Sequence, residues 1–247
     1  MTKDQLEKHK KAAQKLWLVN QKTFRFIKKN IGKASEYDVN RFILSEFKKQ
    51  GMVADKKHLC QIVAAGENTD KVHYFPLKNK SKIIQRNSLI LIDTWARLKE
   101  KDSPFADITW MAYSGKSVPK DIQRVFDKVI RARDITLDYL RKSVRRGKFP
   151  KTKEIDKVAR KYFKKFNLEK NFLHGTGHSL GIKECHGRYF RFGEKSGARL
   201  KPNIPFTIEP GLYLKDKFGV RSEINCYVDD NRKLIVTTEI QNKIIKI

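Results

Sequence analysis

Long apolar runs are missing from this chain of 247 residues. No stretch approaches the roughly 20 consecutive apolar residues that a membrane-spanning helix requires. The amino-terminal segment MTKDQLEKHKK carries charges but no apolar core, so it cannot act as a secretory signal. We therefore expect a soluble, cytoplasmic protein with no membrane partner.

Cysteine is also scarce. The three cysteines, Cys60, Cys185 and Cys226, are odd in number and scattered, and no CxxC pair occurs. This pattern indicates neither a disulfide framework nor a thiolate zinc site. It suits a reducing compartment.

Acidic residues are few relative to basic ones: 27 Asp and Glu against 55 Lys and Arg, a formal net charge of +28. The electrostatic field of such a positive charge attracts nucleic acid, anionic membranes or acidic peptides. The basic residues are nevertheless spread along the chain with acids between them, whereas nucleic-acid modules usually concentrate them on one element. We favour lysine as a general surface residue and keep nucleic-acid binding as the alternative.

Apolar residues, at 39% of the chain, are sufficient for a substantial core, and we expect a single domain over residues 1–247. Helical spacing predicts a helix from Gln5 to about Lys29 and a second that begins at Ser35, with Asp38 completing a capping box, and stops at Gly51. Two further helices are predicted, one from Pro119 towards Gly147 and one from near Thr152.

Strands are predicted after each pair of helices. The predicted runs are His58 to Ala64, Ser88 to Leu98, Pro205 to Leu214, Val220 to Val228, Leu234 to Thr238 and Lys243 to Ile247. The order helix, helix, strands therefore occurs twice. This indicates an α+β architecture in which two similar halves share a sheet.

Four carboxylates and one histidine stand within apolar or glycine-rich runs, where an ionised carboxylate costs several kcal/mol unless it is paired. These residues are Asp93, Asp107, Glu209, Glu223 and His178. Any one alone would more often be a hydrogen-bonded core residue. Together they suggest a shared cavity in which two divalent cations balance four negative charges. Oxygen ligands with one imidazole favour manganese, with cobalt, iron or zinc as alternatives.

Six ordered motifs carry a resemblance to a known family. They are AAGENTDKVHYFP (64–76), LILID (89–93), ADITW (106–110), HGTGHSLG (174–181), FTIEPGLYL (206–214) and FGVRSEIN (218–225). The chain resembles the pita-bread metallopeptidases, which include aminopeptidase P, prolidase, methionine aminopeptidase and creatinase. The resemblance implies two pseudo-symmetric helix-helix-strand halves around a curved antiparallel sheet. The sequences of these motifs are most similar to those of aminopeptidase P-like members. The amino-terminal domain common among these members is not expected in this chain.

The resemblance also implies roles for individual residues. Asp93 should bind the first metal, Asp107 and Glu223 should bridge both metals, and His178 and Glu209 should complete the second. A hydroxide that bridges the metals would attack the first peptide carbonyl, with Glu209 taking the proton.

Three further histidines match positions around the family's site. His73 resembles the loop histidine at the scissile amide, His186 the histidine that steadies the developing oxyanion, and His174 one near the leaving residue. From the residues alone, His73 and His186 read as exposed loop histidines. His186 lies one position further from His178 than is usual in the family, so a β-bulge is needed to turn it towards the site.

Three residues are expected to support the metal ligands. Arg221, two positions before Glu223, is predicted to be an ion-pair partner, and Thr109 and Thr207 are predicted to orient ligands by hydrogen bonds. The longer stretch between Asp93 and Asp107 than is usual in the family is expected to lie in an extended hairpin tip around residues 99–104.

The function implied by the resemblance is an aminopeptidase that removes the first residue of short peptides with proline in second position. Methionine aminopeptidase or prolidase specificity, another hydrolase on this scaffold, and an inactive basic relative that binds nucleic acid or protein are the alternatives. A homodimer is left open.

Overall fold

Four helices account for the predicted helical segments. The computed structural model describes residues 1–57 and 59–247. The helices are α1 (Lys3–Lys29), α2 (Glu36–Lys49), α3 (Lys120–Arg145) and α4 (Thr152–Lys164). A capping box at Thr2 begins α1, and the predicted box of Ser35 and Asp38 begins α2. In each box the side-chain oxygens accept backbone N–H groups that would otherwise lack partners at the helix start.

Twelve strands are formed by the described residues. The first four are β1 (Met52–Ala54), β2 (Ile62–Ala65), β3 (Leu89–Leu98) and β4 (Ala106–Tyr113). The others are β5 (Gly177–Leu180), β6 (His186–Phe192), β7 (Phe206–Ile208), β8 (Gly211–Leu214), β9 (Phe218–Arg221), β10 (Ile224–Val228), β11 (Leu234–Val236) and β12 (Ile245–Lys246). Short 3₁₀ helices occupy Gly66–Asp70 and Glu169–Asn171.

The strands form two five-stranded sheets and a two-stranded ribbon. The first sheet has the order β1-β3-β4-β12, with β2 also paired to β3. The second has the order β11-β10-β7-β5-β6, and β8 pairs with β9. All strand pairs are antiparallel except β12, which runs parallel to β4. The expected antiparallel sheet is thus present in two parts, with one parallel strand at an edge.

A buried asparagine joins the two sheets. The side-chain amide of Asn225 on β10 donates to the carbonyl oxygen of Asp107 on β4 at 2.6 Å, and its Oδ1 accepts the Asp107 N–H at 2.9 Å. Between the two sheets, these two bonds take the place of the backbone hydrogen bonds that neighbouring strands of one sheet would form. The two halves therefore meet beside Asp107.

Each half buries its helices against its sheet. On β3, Ile90 and Ile92 pack into the cluster that α1 and α2 cover, whereas Leu91 and Trp95 point into the second cluster, beneath α3 and α4. Both faces of β3 are therefore buried, which explains its continuous apolar run. Because side chains alternate along a strand, Asp93 faces the same side as Leu91 and Trp95.

Two predicted strands of the second half are interrupted. The run from Pro205 to Leu214 is split at Glu209 and Pro210 into β7 and β8, and Val220 to Val228 is split at Ser222 and Glu223 into β9 and β10. Proline has no N–H for the ladder, so pairing stops at 210. Glu209 and Glu223 thereby lie at strand ends, where the direction of the side chain is not fixed by the alternation of the strand.

Other boundaries also differ from the prediction. In the predicted strand from His58 to Ala64, the structure begins β2 at Ile62, and His58 lies outside the described residues. Strands β1, β4, β5 and β6 lie outside the predicted strand runs. No helix among the described residues is long and apolar enough to cross a membrane.

Candidate active site

A cavity of about 680 Å³ gathers the predicted chemistry. Its lining includes all five predicted metal ligands, the three additional histidines and Arg221: Asp93, Asp107, His178, Glu209, Glu223, His73, His174, His186 and Arg221. The ligands come from β3, β4, β5, the end of β7 and the start of β10. The cavity thus draws on both halves of the fold.

Three of these side chains form a compact group. Single ligand atoms of Asp107, His178 and Glu223 all lie within 4.8 Å of one another, and all three residues are buried. The Nε2 atom of His178 is 3.7 Å from Asp107 Oδ2 and 3.3 Å from Glu209 Oε1. This spacing is suitable for atoms that share a cation between them.

Three oxygens of the cluster have no hydrogen-bond partner among the described residues. These buried atoms are Asp93 Oδ1, Asp107 Oδ1 and Glu223 Oε1. An unsatisfied buried polar atom costs about 1–3 kcal/mol, and more when it belongs to a charged group. Because the three oxygens belong to neighbouring carboxylates, a divalent cation would satisfy them together. The residues present therefore fit a metal, and their oxygen-rich donor set fits a hard one.

The tautomer of His178 supports metal binding. Its Nδ1 lies 3.1 Å from the carbonyl oxygen of Ser179, which can only accept a hydrogen bond, so we assign the proton to Nδ1. The lone pair on Nε2 then points towards Asp107 and Glu209, as metal-ligating histidines require. Burial lowers the pKa of His178 to about 4, which keeps this lone pair available at neutral pH.

A close backbone approach sets the position of His178. A Cβ atom at Gly177 would lie 2.1 Å from the carbonyl oxygen of Thr207, and one at Gly175 would lie 2.0 Å from that of Phe192. Neither contact is tolerable, so strands β6 and β7 can flank this segment only because these positions are glycine. These two glycines therefore allow the neighbouring strands to pack closely around His178.

Burial and mutual repulsion disfavour the charged carboxylates. Burial raises the pKa of Asp107 well above its ordinary value, and the charges of Asp93 and Glu209 raise it further. The pKa of Glu223 is raised in the same way by burial and by the charge of Asp107. Burial raises the pKa of Glu209 to about 7, although Arg221 opposes this shift. Without a cation, the cluster holds protons at pH values where ordinary carboxylates are ionised.

Arg221 connects two of the ligands. Its Nη2 donates to Asp93 Oδ2, and its Nε donates to the hydroxyl of Thr109 at 3.0 Å. That hydroxyl donates in turn to Glu223 Oε2 at 3.0 Å. Each carboxylate is thus held by one oxygen, while its other oxygen has no partner in the part of the chain that the structure describes and remains available to a cation. On the opposite side, the Thr207 hydroxyl lies 3.0 Å from Glu209 Oε1 and accepts the His178 N–H at 3.0 Å.

The three additional histidines occupy different environments. His73 is exposed at the cavity wall. His174 is half-buried, with Nδ1 2.9 Å from the carbonyl oxygen of Gly175 and Nε2 2.9 Å from the hydroxyl of Tyr213. That hydroxyl also accepts from Arg221 at 3.1 Å. Both ring nitrogens of His174 are therefore engaged by groups of the protein.

A β-bulge directs His186 into the cavity. The register of β5 against β6 shifts between His178 and Leu180, so that Leu180 pairs with His186. The His186 ring lies 4.0 Å from that of His178, centroid to centroid. This irregularity lies between the two histidines, and His186 lines the cavity together with the predicted metal ligands.

Cys185 was not recognised from the sequence as part of the site. Its thiol lies 3.1 Å from Asp107 Oδ2, and its backbone N–H donates at 2.7 Å to Asp55, which is also buried. Asp55 thereby anchors the segment that precedes His186. The only signal in the sequence is the position of Cys185 beside His186, which does not indicate a contact with Asp107.

The comparisons with known proteins agree with this geometry. The family model for metallopeptidase family M24 matches residues 7–230. An uncharacterized peptidase of Methanocaldococcus jannaschii is 28% identical over 227 residues, 90% of this chain and 58% of that protein. The Xaa-Pro dipeptidase of Pyrococcus furiosus is 29% identical over 188 residues, 75% of this chain and 49% of that protein. The chain thus spans about half the length of these relatives.

A solved structure gives the same fold. The X-Pro aminopeptidase from Thermotoga maritima superimposes with a TM-score of 0.84 and covers all of this chain, which corresponds to 64% of that protein. At 23% identity the likeness concerns the fold alone. It confirms the pita-bread fold and the α+β class predicted from the sequence motifs. With a family model that matches most of its length, the chain belongs to metallopeptidase family M24.

Proposed function

We propose that the protein is an aminopeptidase that hydrolyses the first peptide bond of short peptides with proline in second position and uses two divalent cations, with manganese preferred. The observation that carries the proposal is the buried group of Asp107, His178 and Glu223, which leaves carboxylate oxygens without partners beside the lone pair of His178. A structural core has no need for such a group, and a nucleic-acid surface would not bury it.

Five residues are proposed as ligands: Asp93, Asp107, His178, Glu209 and Glu223. Asp93 would hold the first cation, His178 and Glu209 the second, and Asp107 and Glu223 would contact both. Arg221, Thr109 and Thr207 would support them by the hydrogen bonds described above. When bound, the cations would polarise the scissile carbonyl and lower the pKa of a bound water to about 7.

Four side chains would carry out proton transfer and substrate binding. Glu209 would accept the proton of the attacking water and return it to the leaving amine. His186 would donate to the carbonyl oxygen as negative charge develops there, and removal of one such donor typically costs about a hundredfold or more in rate. His73 would contact the scissile amide, and His174 would lie near the leaving residue.

Two features support cleavage at the peptide amino terminus. The resemblance implies that the free α-amine would bind near Asp93, whose carboxylate accepts a hydrogen bond from Arg221. Relatives described as an Xaa-Pro dipeptidase and an X-Pro aminopeptidase share the family and the fold, respectively. The specificity for proline rests on these relatives and on the ADITW and GVRSEIN motifs.

The decisive experiment measures metal content and hydrolysis together. The protein is stripped with chelator, reloaded with Mn²⁺, Co²⁺, Zn²⁺ or Fe²⁺, and assayed on an Xaa-Pro-Xaa tripeptide, the same peptide with an acetylated amino terminus, an Xaa-Pro dipeptide and a Met-Ala-Xaa peptide. We expect metal-dependent cleavage of the free tripeptide only. Preferential cleavage of the dipeptide or the Met peptide would assign prolidase or methionine aminopeptidase specificity. Metal uptake without cleavage of any peptide would refute the enzyme.

A further inference from the structure

We propose that a second cavity, on the far side of the first sheet, binds a short phosphate chain such as a linear triphosphate group. This cavity of about 470 Å³ is separate from the active site and shares no lining residue with it. Five of its nine lining residues are cationic: Lys28, Lys29, Arg86, Lys116 and Lys246. None of the nine is acidic. We refer to this site as the basic cavity.

The cations converge from separate parts of the chain. Lys28 and Lys29 end α1, Arg86 lies in the turn before β3, Lys116 follows β4, and Lys246 belongs to β12. Within residues 1–57 and 59–247, none of these five side chains forms an ion pair with a carboxylate. Attraction to the carboxyl end of α1 accounts for the first two lysines only. The mutual repulsion of the group is therefore uncompensated by acidic side chains.

The floor of the basic cavity is rigidly connected. The buried hydroxyl of Ser114 donates at 2.7 Å to the carbonyl oxygen of Gln85 and accepts the N–H of Ser88 at 3.0 Å. The N–H of Asn87 donates to the carbonyl oxygen of Ser114 at 2.7 Å. These bonds fasten the turn that carries Arg86 to the segment that carries Lys116. Their relative position is thus set before any ligand arrives, which lowers the entropic cost of binding.

The lining favours phosphate over a nucleobase. No aromatic side chain lines this cavity, and its apolar contribution comes from Ile31 and Ile247. Single-stranded nucleic acids are usually held by aromatic side chains that stack on the bases. Each phosphoryl group carries at least one negative charge at neutral pH, so about three to five linked phosphates would match the five cations. The volume is in the range of small-molecule sites.

The basic cavity is distant from the metal ligands. Asp107 and Ser114 are seven positions apart along β4 and the residue that follows it, a separation of about 23 Å at 3.3 Å per residue. Binding of phosphate here can therefore be measured without reference to peptide cleavage.

Calorimetric titration of the whole chain with sodium tripolyphosphate tests the inference. The double variant Arg86→Gln with Lys116→Gln removes two lining charges from exposed side chains. The control, Lys161→Gln with Lys164→Gln, removes the same charge from exposed positions on α4. We expect the first variant to bind tripolyphosphate about tenfold more weakly or worse, and the control to change affinity less than about twofold.

Three results would overturn the inference. The wild-type chain could fail to bind tripolyphosphate in buffer of physiological ionic strength. Both double variants could lose affinity equally, which would show a response to net charge alone. A single-stranded oligonucleotide could bind more tightly than tripolyphosphate, and the Arg86 and Lys116 substitutions could weaken its binding. That result would make this surface part of a nucleic-acid binding site.

Discussion

The ionised form of Glu209 destabilises the folded protein when no metal is bound. Its Oε1 lies 3.0 Å from the Thr207 hydroxyl and 3.3 Å from His178 Nε2, and burial raises its pKa from 4.5 to about 7. The substitution Glu209→Gln preserves the shape and the acceptor oxygen but removes the titrating group. We therefore expect this substitution to stabilise the metal-free protein at alkaline pH.

The sign and size of the effect follow from the raised pKa. Between pH 4.5 and about 7, the folded protein retains a proton on Glu209 that the unfolded chain has released. Stability rises with pH only where the unfolded state binds more protons, so here it falls as pH rises. At about 1.36 kcal/mol per pKa unit the shift corresponds to about 3 kcal/mol. The Glu209 side chain is only 16% exposed, so screening by solvent reduces this little.

Urea unfolding in the presence of chelator at pH 5 and pH 8 measures the effect. The stability of Glu209→Gln relative to the wild type should rise by about 2.5 kcal/mol from pH 5 to pH 8, since at pH 5 the unfolded carboxyl is already partly ionised, or roughly 5–10 °C in melting temperature. The control Glu239→Gln, at an exposed position, should follow the wild type at both pH values. Addition of Mn²⁺ should reverse the order at pH 8, because ligand binding stabilises the folded wild type. A difference between variant and wild type that does not change with pH would refute the reasoning.

Three other substitutions test the site and its supports. Asp107→Asn should abolish stoichiometric metal uptake, measured by elemental analysis after dialysis, and peptide cleavage with it; an active, metal-replete variant would contradict the ligand assignment. Asn225→Ala leaves the buried N–H and carbonyl of Asp107 unpaired and should lower the free energy of unfolding by about 2–5 kcal/mol; an unchanged urea midpoint would exclude this role. Cys185→Ala removes a hydrogen bond to Asp107 and should weaken Mn²⁺ binding about tenfold by calorimetry; wild-type affinity would show that the thiol only fills space.

The helices were predictable because their information is local. The spacing of apolar residues and the Ser35–Asp38 capping box placed the second helix to within about two residues of its observed ends. Strand β3 was equally clear, since its two buried faces require a continuous apolar run. Strand β6 was missed because most of its residues are exposed, so it lacks the alternation that marks a half-buried strand.

The candidate site was accessible from the sequence in part. Charged residues within apolar runs identified Asp93, Asp107, Glu209 and Glu223 as unusual, and the ordered motifs related them to a family. Their proximity could not be read from the chain, because Asp93 and Glu223 are 130 positions apart and lie in different halves of the fold. Neither pattern nor motif indicated the thiol of Cys185 beside Asp107.

Local patterns thus specified the helix pairs, the principal strands and the acids that could not be buried alone, because periodicity and desolvation act through near neighbours in the chain. The tertiary structure decided how these parts meet. It split two strands so that Glu209 and Glu223 lie at strand ends, and it placed the bulge that turns His186 towards His178. These outcomes depend on register and on contacts between distant segments, which no short stretch of sequence contains.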